Sequence, residues 1–282
     1  MSDALLALFN NLDETPTKRS NYQRAPFGYV GGKWRSLPNI LQHLPYRKSW
    51  IEVFGGSGIM TINRQPSKLD VFNDRYAGIV AFYRVLRDPE LIMKLIARLE
   101  LTVQSREEFH WCKETWEQCQ DDVERAARWY YMIESSVINK MDAFARSANS
   151  ALSCSVREQL KFFDIIHHRF KRVLVENLDW SMCLKDFDGP EAVFYCDPPY
   201  LDTDGGGYVH KFNRQDHIQL LNQIHDTRGF VALSGYPNDL YESYEWDNRI
   251  EWDTHTTARV QAFTDTNHPK GMEKTTGGPV LR

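Results

Sequence analysis

Nowhere in these 282 residues is there an apolar run approaching the roughly 20 that a membrane-spanning helix needs. The opening residues, Met1 to Leu12, lack the basic start of a signal peptide, so the sequence predicts a protein that stays in the cytoplasm where it is made. Cysteine is scarce and has no metal-binding pattern. Cys112, Cys119, Cys154, Cys183 and Cys196 form an odd set without a C-x-x-C pair, which points to reduced thiols and no structural zinc. His167 and His168 are adjacent, and adjacent positions on a helix point in different directions, so they are read as surface or packing groups. A positive excess is missing too: 34 Lys and Arg stand against 38 Asp and Glu, a formal charge of −4. That excludes a general basic coat, and any nucleic-acid footprint must be local. No internal repeat occurs, and the one biased tract, Gly205-Gly206-Gly207, marks a loop.

What is present is a globular composition, 42% hydrophobic and 26% charged, with a parallel-sheet pattern at its start. Ser49 to Phe54 is a short apolar, β-prone run that stops at Gly55-Gly56-Ser57-Gly58, after which Ile59 to Asn63 opens a helix. A second run, Lys68 to Phe72, ends at Asn73-Asp74. Tyr76 to Leu86 follows, with Ile79, Phe82, Tyr83 and Leu86 at helical spacing. This β-α-β-α start implies a parallel sheet. From Pro89 to about Arg172 the periodicity is almost wholly helical: Leu91, Ile92, Leu95, Ile96 and Leu99 form one stripe, and Val123 to Ile138 and Val156 to Phe170 form others. Strand-like runs return at Val173 to Glu176, Ala192 to Cys196 and Gly229 to Ser234, with a helix from Arg214 to Ile224 between the last two.

The glycine turn Phe54-Gly55-Gly56-Ser57-Gly58 ends the first strand, where bare backbone lets a ligand approach closely and a helix N-terminus faces it. Asp74 lies 20 residues past Phe54 at the end of the second strand, where an acid can accept both ribose hydroxyls of a nucleoside. A dinucleotide pattern would need glycine at position 61; Thr61 stands there, which disfavours NAD. Either feature in isolation is better read as a tight turn or a solvated acid.

Asp197-Pro198-Pro199-Tyr200 directly follows the apolar run Ala192 to Cys196, and so sits at the carboxyl end of a sheet strand. Two prolines fix the local φ and remove two N–H groups, leaving carbonyls and a rigidly held Asp and Tyr. Such a site suits an exocyclic amine. The lone pair of adenine N6 is delocalised into the ring, so an enzyme must draw on both N–H bonds. The Asp197 carboxylate and the Pro198 carbonyl can accept the two hydrogens, while Tyr200 stacks on the base. A base treated this way must leave the duplex. The plain alternative is a proline-rich turn after a strand.

Pro26-Phe27-Gly28-Tyr29-Val30-Gly31-Gly32-Lys33, the glycine turn, Asn73-Asp74 and Asp197-Pro198-Pro199-Tyr200 together, in that order around a helical insertion, resemble the Dam-like N6-adenine-specific DNA methyltransferases of bacteria and phages. The resemblance runs from Pro26 to Tyr236. It implies a Rossmann-like α/β sheet that binds S-adenosylmethionine and acts on double-stranded DNA, with a helical target-recognition insertion. Tyr29, Gly32 and Lys33 would contact the cofactor, Lys33 at its carboxylate, alongside Phe54, Gly55, Gly56, Ser57, Gly58, Asp74 and Asp197. Glu176 to Asp179 would line the adenine end through Asp179, although a solvated turn explains that segment as well. Residues 139–153 correspond to the recognition segment, so Lys140, Arg146 and Asn149 within it, and Arg157 just beyond it, are candidate DNA contacts. A polar loop between helices is the equal alternative. From Lys140 to Arg172 seven Lys or Arg face three acids, and Lys18, Arg19, Arg24, Lys33 and Arg35 cluster near the start, so both stretches can meet phosphates.

Trp111, Trp116, Trp129 and Tyr130 are read as packing groups of the insertion, while Tyr208 and Phe212 could close over a base or pack. The expected layout is a catalytic domain of residues 20–88 and 172–265, the insertion 89–171 and a flexible tail 266–282. The chain departs from the resemblance at its end, where Phe263 to Arg282 is polar and broken by Pro and Gly, so the last strand is expected at Arg249 to Trp252 or Ala258 to Phe263. The same amine chemistry would serve cytosine N4 or an RNA amine. A non-catalytic relative would carry damaged motifs, whereas Phe54, Gly56, Asp74, Asp197 and Tyr200 are all in place.

Overall fold

The computed structural model describes residues 22–145, 163, 165–201, 212–252 and 263–264. Strands β1 (Ser49–Glu52), β2 (Leu69–Asn73), β3 (Val173–Glu176), β4 (Ala192–Cys196), β5 (Phe230–Leu233) and β6 (Phe263–Thr264) form one sheet in the order β3-β2-β1-β4-β5-β6. All pairs are parallel except β5 with β6, which runs antiparallel. The chain winds outward from β1 to β3 on one side and returns beside β1 as β4 on the other. The strand order therefore reverses between β1 and β4, which is where open α/β sheets bind ligands.

The central strands are buried on both faces, which is why they read as continuous apolar runs and not as an alternation. One face presents Ile51, Val71, Phe194, Cys196, Val231 and Leu233 to helices α7 (Trp180–Asp186), α8 (Arg214–Asp226) and α9 (Asp239–Glu242). The other presents Trp50, Val193, Tyr195, Phe230 and Ala232 to α1 (Leu37–Leu41) and α2 (Ile59–Asn63). On that second face, nearer β2 and β3, lie α3 (Ala77–Leu86), α4 (Pro89–Glu100), α5 (Arg106–Thr115) and α6 (Asp122–Glu134), with helical residues 165–170 against them.

The helices start at side-chain caps: Asp88 before α4, Ser105 before α5, Asp121 before α6 and a reciprocal Asn213 and Asp216 box at α8. The expected helix from Val123 to Ile138 stops at Glu134. Ser136 there leaves the helical conformation, its hydroxyl accepts from the Met141 N–H at 3.0 Å, and Val137–Asn139 tightens into a 3-10 turn. The neighbouring chain folds back on itself, bridging Ser136 with Phe144.

Two further expectations are corrected. The last strand is Phe263–Thr264, whereas Arg249 to Trp252 is not a strand: Ile250 and Trp252 pack onto the core around α1 instead. Residues 258–262 and the tail 266–282 lie outside the described residues. Trp116, Trp129 and Tyr130 are buried packing groups, but Trp111 is exposed, with the Arg128 guanidinium 4.0 Å above its ring. Among the described residues no helix is long and apolar enough to cross a membrane, and no three His, Cys, Asp or Glu gather to hold a metal ion.

Candidate active site

A cleft opens at the carboxyl ends of β1 and β4, between the glycine turn and the segment Tyr29 to Lys33. Its floor can be built only from glycine. A Cβ on Gly55 would lie 2.3 Å from the Phe72 ring, and Gly56 and Gly58 hold φ of 50° and 66°, a left-handed conformation that glycine adopts without strain. The turn closes through the Gly58 N–H on the Gly55 carbonyl at 2.8 Å, and the Gly55 N–H donates to Asn73, tying β1 to β2.

Asp74 completes the turn from the end of β2. Its Oδ2 accepts from the Gly56 N–H and its Oδ1 from the Tyr76 N–H, each at 2.7 Å. Burial pushes its carboxyl up to about 6, against the pull of those two donors. Both oxygens keep a further lone pair for a hydroxyl in the cleft.

On the opposite rim the Gly32 N–H bonds back to the Tyr29 carbonyl at 3.0 Å, with Gly31 at φ 76° as a type II turn demands. That turn delivers Lys33 into the cleft. Its Nζ lies 2.5 Å from Asp197 Oδ2 and 2.7 Å from the Gly31 carbonyl, and 5.0 Å from the centre of the Tyr200 ring. Tyr29 rests on the glycine turn, close enough that a Cβ on Gly56 would come within 3.1 Å of its ring.

Asp197 follows β4. Its Oδ1 accepts from the Ser234 hydroxyl at 2.7 Å. Pro199 lines the cleft, Pro198 is buried behind it, and Tyr200 is buried edge-on to Tyr236 at 4.9 Å. Asp74, the glycine turn, Tyr29, Gly32, Lys33 and Asp197 are thus brought together around one cleft.

Asp179 is not among them. Its carboxylate caps α7 through the Ser181 N–H and hydroxyl and pairs with Arg75 at 3.3 Å, while its neighbours Leu178 and Trp180 face the cleft. Lys140 sits in the turn after Val137–Asn139, away from the cleft lining. Arg146, Asn149, Arg157 and Tyr208 lie outside the described residues. Phe212 both packs and lines: it meets Phe54 edge-on at 5.7 Å and Trp180 at 6.0 Å, making an aromatic wall.

Three groups were invisible as site residues in the sequence. Glu52, the last residue of β1, is buried at the cleft, where burial pushes its carboxyl up to about 8 and its Oε2 accepts the Thr61 N–H at 2.9 Å. It caps α2, since Gly58, the residue just before that helix, has no side chain to do so. Its signal was an acid inside an otherwise apolar strand. Trp180 and Ser234 carried none beyond following strands β3 and β5.

The cleft suits a nucleoside with an amino-acid tail. Aromatic and apolar walls take a base, a side-chain-free turn lets the ligand lie on backbone, Asp74 offers acceptors for ribose hydroxyls, and Lys33 offers a cation at the far end.

The chain is 24% identical over 237 residues to a DNA N-6-adenine-methyltransferase of Escherichia phage P1, covering 78% of this chain and 31% of that protein. It is 28% identical over 191 residues to a DNA adenine methylase of Salmonella typhi, covering 63% of this chain and 65% of that one, and matches the Salmonella typhimurium protein equally. It thus spans between 31% and 65% of the length of these curated relatives. The sequence model of one family matches residues 29–261, from the Tyr29 turn past the end of α9, and by that match the chain belongs to the D12 class N6 adenine-specific DNA methyltransferases.

Proposed function

We propose that this chain transfers the methyl group of S-adenosylmethionine to N6 of an adenine turned out of duplex DNA. The observation that carries the reading is the Asp197 carboxylate, held at the end of β4 directly across the switch point from the glycine turn and Asp74. S-adenosylmethionine supplies an electrophilic methyl on a sulfonium when bound.

The chain's own groups do the rest. Asp74 accepts the ribose hydroxyls, Phe54, Trp180 and Phe212 enclose the cofactor's base, and Lys33 neutralises its carboxylate. Asp197, whose Oδ1 takes the Ser234 hydroxyl and whose Oδ2 takes Lys33, accepts one N6 hydrogen at a remaining lone pair of Oδ2, and the Pro198 carbonyl accepts the other. These acceptors raise electron density on N6 as it attacks; the Asp197 carboxylate takes the proton that N6 loses, and the broken S–C bond would leave its electron pair on a neutral thioether. Tyr200 stacks on the extruded base, which offsets part of the cost of unstacking it. The helical insertion 89–171 reads the target, with Lys140, Arg146, Asn149 and Arg157 as its candidate DNA contacts.

Incubation with methyl-labelled cofactor and duplex DNA, followed by digestion to nucleosides, tests this. Label in N6-methyladenine is the expected result. Label on cytosine N4, or transfer to RNA alone, would replace the substrate named here. The Asp197→Ala variant is expected to bind cofactor within a few-fold of the parent and to lose turnover by about 10²- to 10³-fold or more. Near-parent rates would overturn the mechanism.

A further inference from the structure

Beneath the cleft, three side chains line up behind Asp197. Ser234 follows β5, and its N–H donates to the Cys196 carbonyl at 2.9 Å, extending the β4 to β5 ladder by one bond and setting Ser234 beside Asp197. The Ser234 hydroxyl is fully buried and touches two groups, Asp197 Oδ1 at 2.7 Å and the Tyr195 hydroxyl at 3.1 Å. Tyr195 is itself buried, two residues before Asp197 on the same strand face, with its ring stacked on Trp50 at 6.3 Å.

The directions of these bonds follow from the inventory of donors. A carboxylate paired with Lys33 can only accept, so Ser234 gives it the hydroxyl hydrogen. Having no second hydrogen, Ser234 must accept from Tyr195. Burial pushes the Tyr195 hydroxyl well above its ordinary range, so it keeps the proton it donates.

We propose that Ser234, oriented by Tyr195, is a positioning residue that fixes the rotamer of Asp197 and turns the lone pair of Oδ2 not taken by Lys33 toward the substrate amine. This rests on the amine-methylation reading above and adds to it the element that aims the carboxylate. Lys33 holds the carboxylate from the rim, but a lysine on a four-carbon stem is a compact point charge that sets no plane. A buried hydroxyl on a strand end does set one. The other charged or titratable groups near Asp197 are Lys33 from the rim, Glu52 from β1, Tyr195 and Cys196 from β4, and Tyr241 from α9. All five are retained in the variants below except the Tyr195 hydroxyl in one of them.

The test compares the full chain with Ser234→Ala, Ser234→Thr and Tyr195→Phe. Two readouts are used: kcat and KM on duplex DNA, and the Asp197 Cγ resonance at one fixed pH, followed by NMR on protein labelled at aspartate Cγ and assigned with Asp197→Asn. Ser234→Ala is expected to lower kcat by about ten- to a hundredfold, with KM for the cofactor within about twofold, because one charge-assisted hydrogen bond is lost. Its Asp197 resonance should move as the bond to Oδ1 disappears. Threonine should restore most of kcat, and Tyr195→Phe should shift both readouts in the same direction by less. An Asp197 resonance unmoved in Ser234→Ala overturns the inference, as does a kcat equal to the parent's. If Ser234→Ala does not fold, an unmoved resonance in Tyr195→Phe overturns it as well. A parent protein that transfers no methyl group would refute the amine-methylation reading alone, since the resonance is read without turnover.

Discussion

Asp74 does two things with one carboxylate: it ties the glycine turn through the Gly56 and Tyr76 N–H groups, and it faces the cleft. With its carboxyl pushed up to about 6 by burial, it takes up a proton just below neutral pH. A protonated carboxyl gives up acceptor capacity to the turn and to a ribose alike, so affinity must fall on the acid side. Cofactor binding measured by calorimetry is therefore expected to weaken as pH drops from 7.5 to 5, with its midpoint near 6. Asp74→Asn should bind about tenfold or more weakly at pH 7.5 and lose this dependence; a variant with the parent's pH curve would assign the titration elsewhere. At this scale the sequence was legible where chemistry and position coincide: Asp74 and Asp197 each follow an apolar strand. Asp179 follows one too, yet its carboxylate went to the α7 cap and Arg75, because the helix that starts at Trp180 needs an acceptor at its first turn. A helix start so short leaves little periodicity to read.

Between elements on the second face, α3 packs more extensively against α6 than against its other neighbours. Gly78 on α3 lies against Trp129 of α6, where an added Cβ would come 2.2 Å from the buried indole. Alanine is the better helix former, by about 1 kcal/mol in a helix interior, and Gly78 in the first turn of α3 gains nothing from propensity. Packing reverses that preference here. Gly78→Ala is expected to destabilise the protein by about 1–3 kcal/mol in urea unfolding, while a gain in stability would mean that α3 and α6 can separate freely. The interiors of the elements were readable from periodicity, but their ends were not. Glu134 ends α6 through Ser136 and Met141, five residues apart, and β6 pairs with a strand some thirty residues upstream; neither interaction leaves a local pattern.

Across the whole molecule, one apolar cluster runs without interruption from the sheet residues Phe72, Val173 and Val175 into Ile92, Phe109 and Trp129 of the insertion. The helices at 89–134 thus complete the cover of β2 and β3 and share their core. Unfolding is expected to be a single transition: far-UV circular dichroism, which weights the helices, and tryptophan fluorescence, which weights Trp50 and Trp129, should give the same midpoint. Two separate transitions would make the insertion an independent domain. The parallel sheet and its interruption by helices were legible from the order of strand and helix patterns. That the two share one core was not, since periodicity shows which face of a helix is apolar but not what covers it.

The Tyr130 hydroxyl of α6 donates to the Pro26 carbonyl at 3.1 Å, and Gly28 is pressed so closely by Asn139 that a Cβ there would come 2.6 Å from its side-chain oxygen. The strap that carries Lys33 is thereby latched to the helices as well as to the sheet. Anyone building chimaeras within this family should accordingly treat the helical segment as unfit for exchange on its own. A graft cut at Pro89 would import helices whose latch was shaped for another strap, and the compatible cassette carries residues 26–29 along with them.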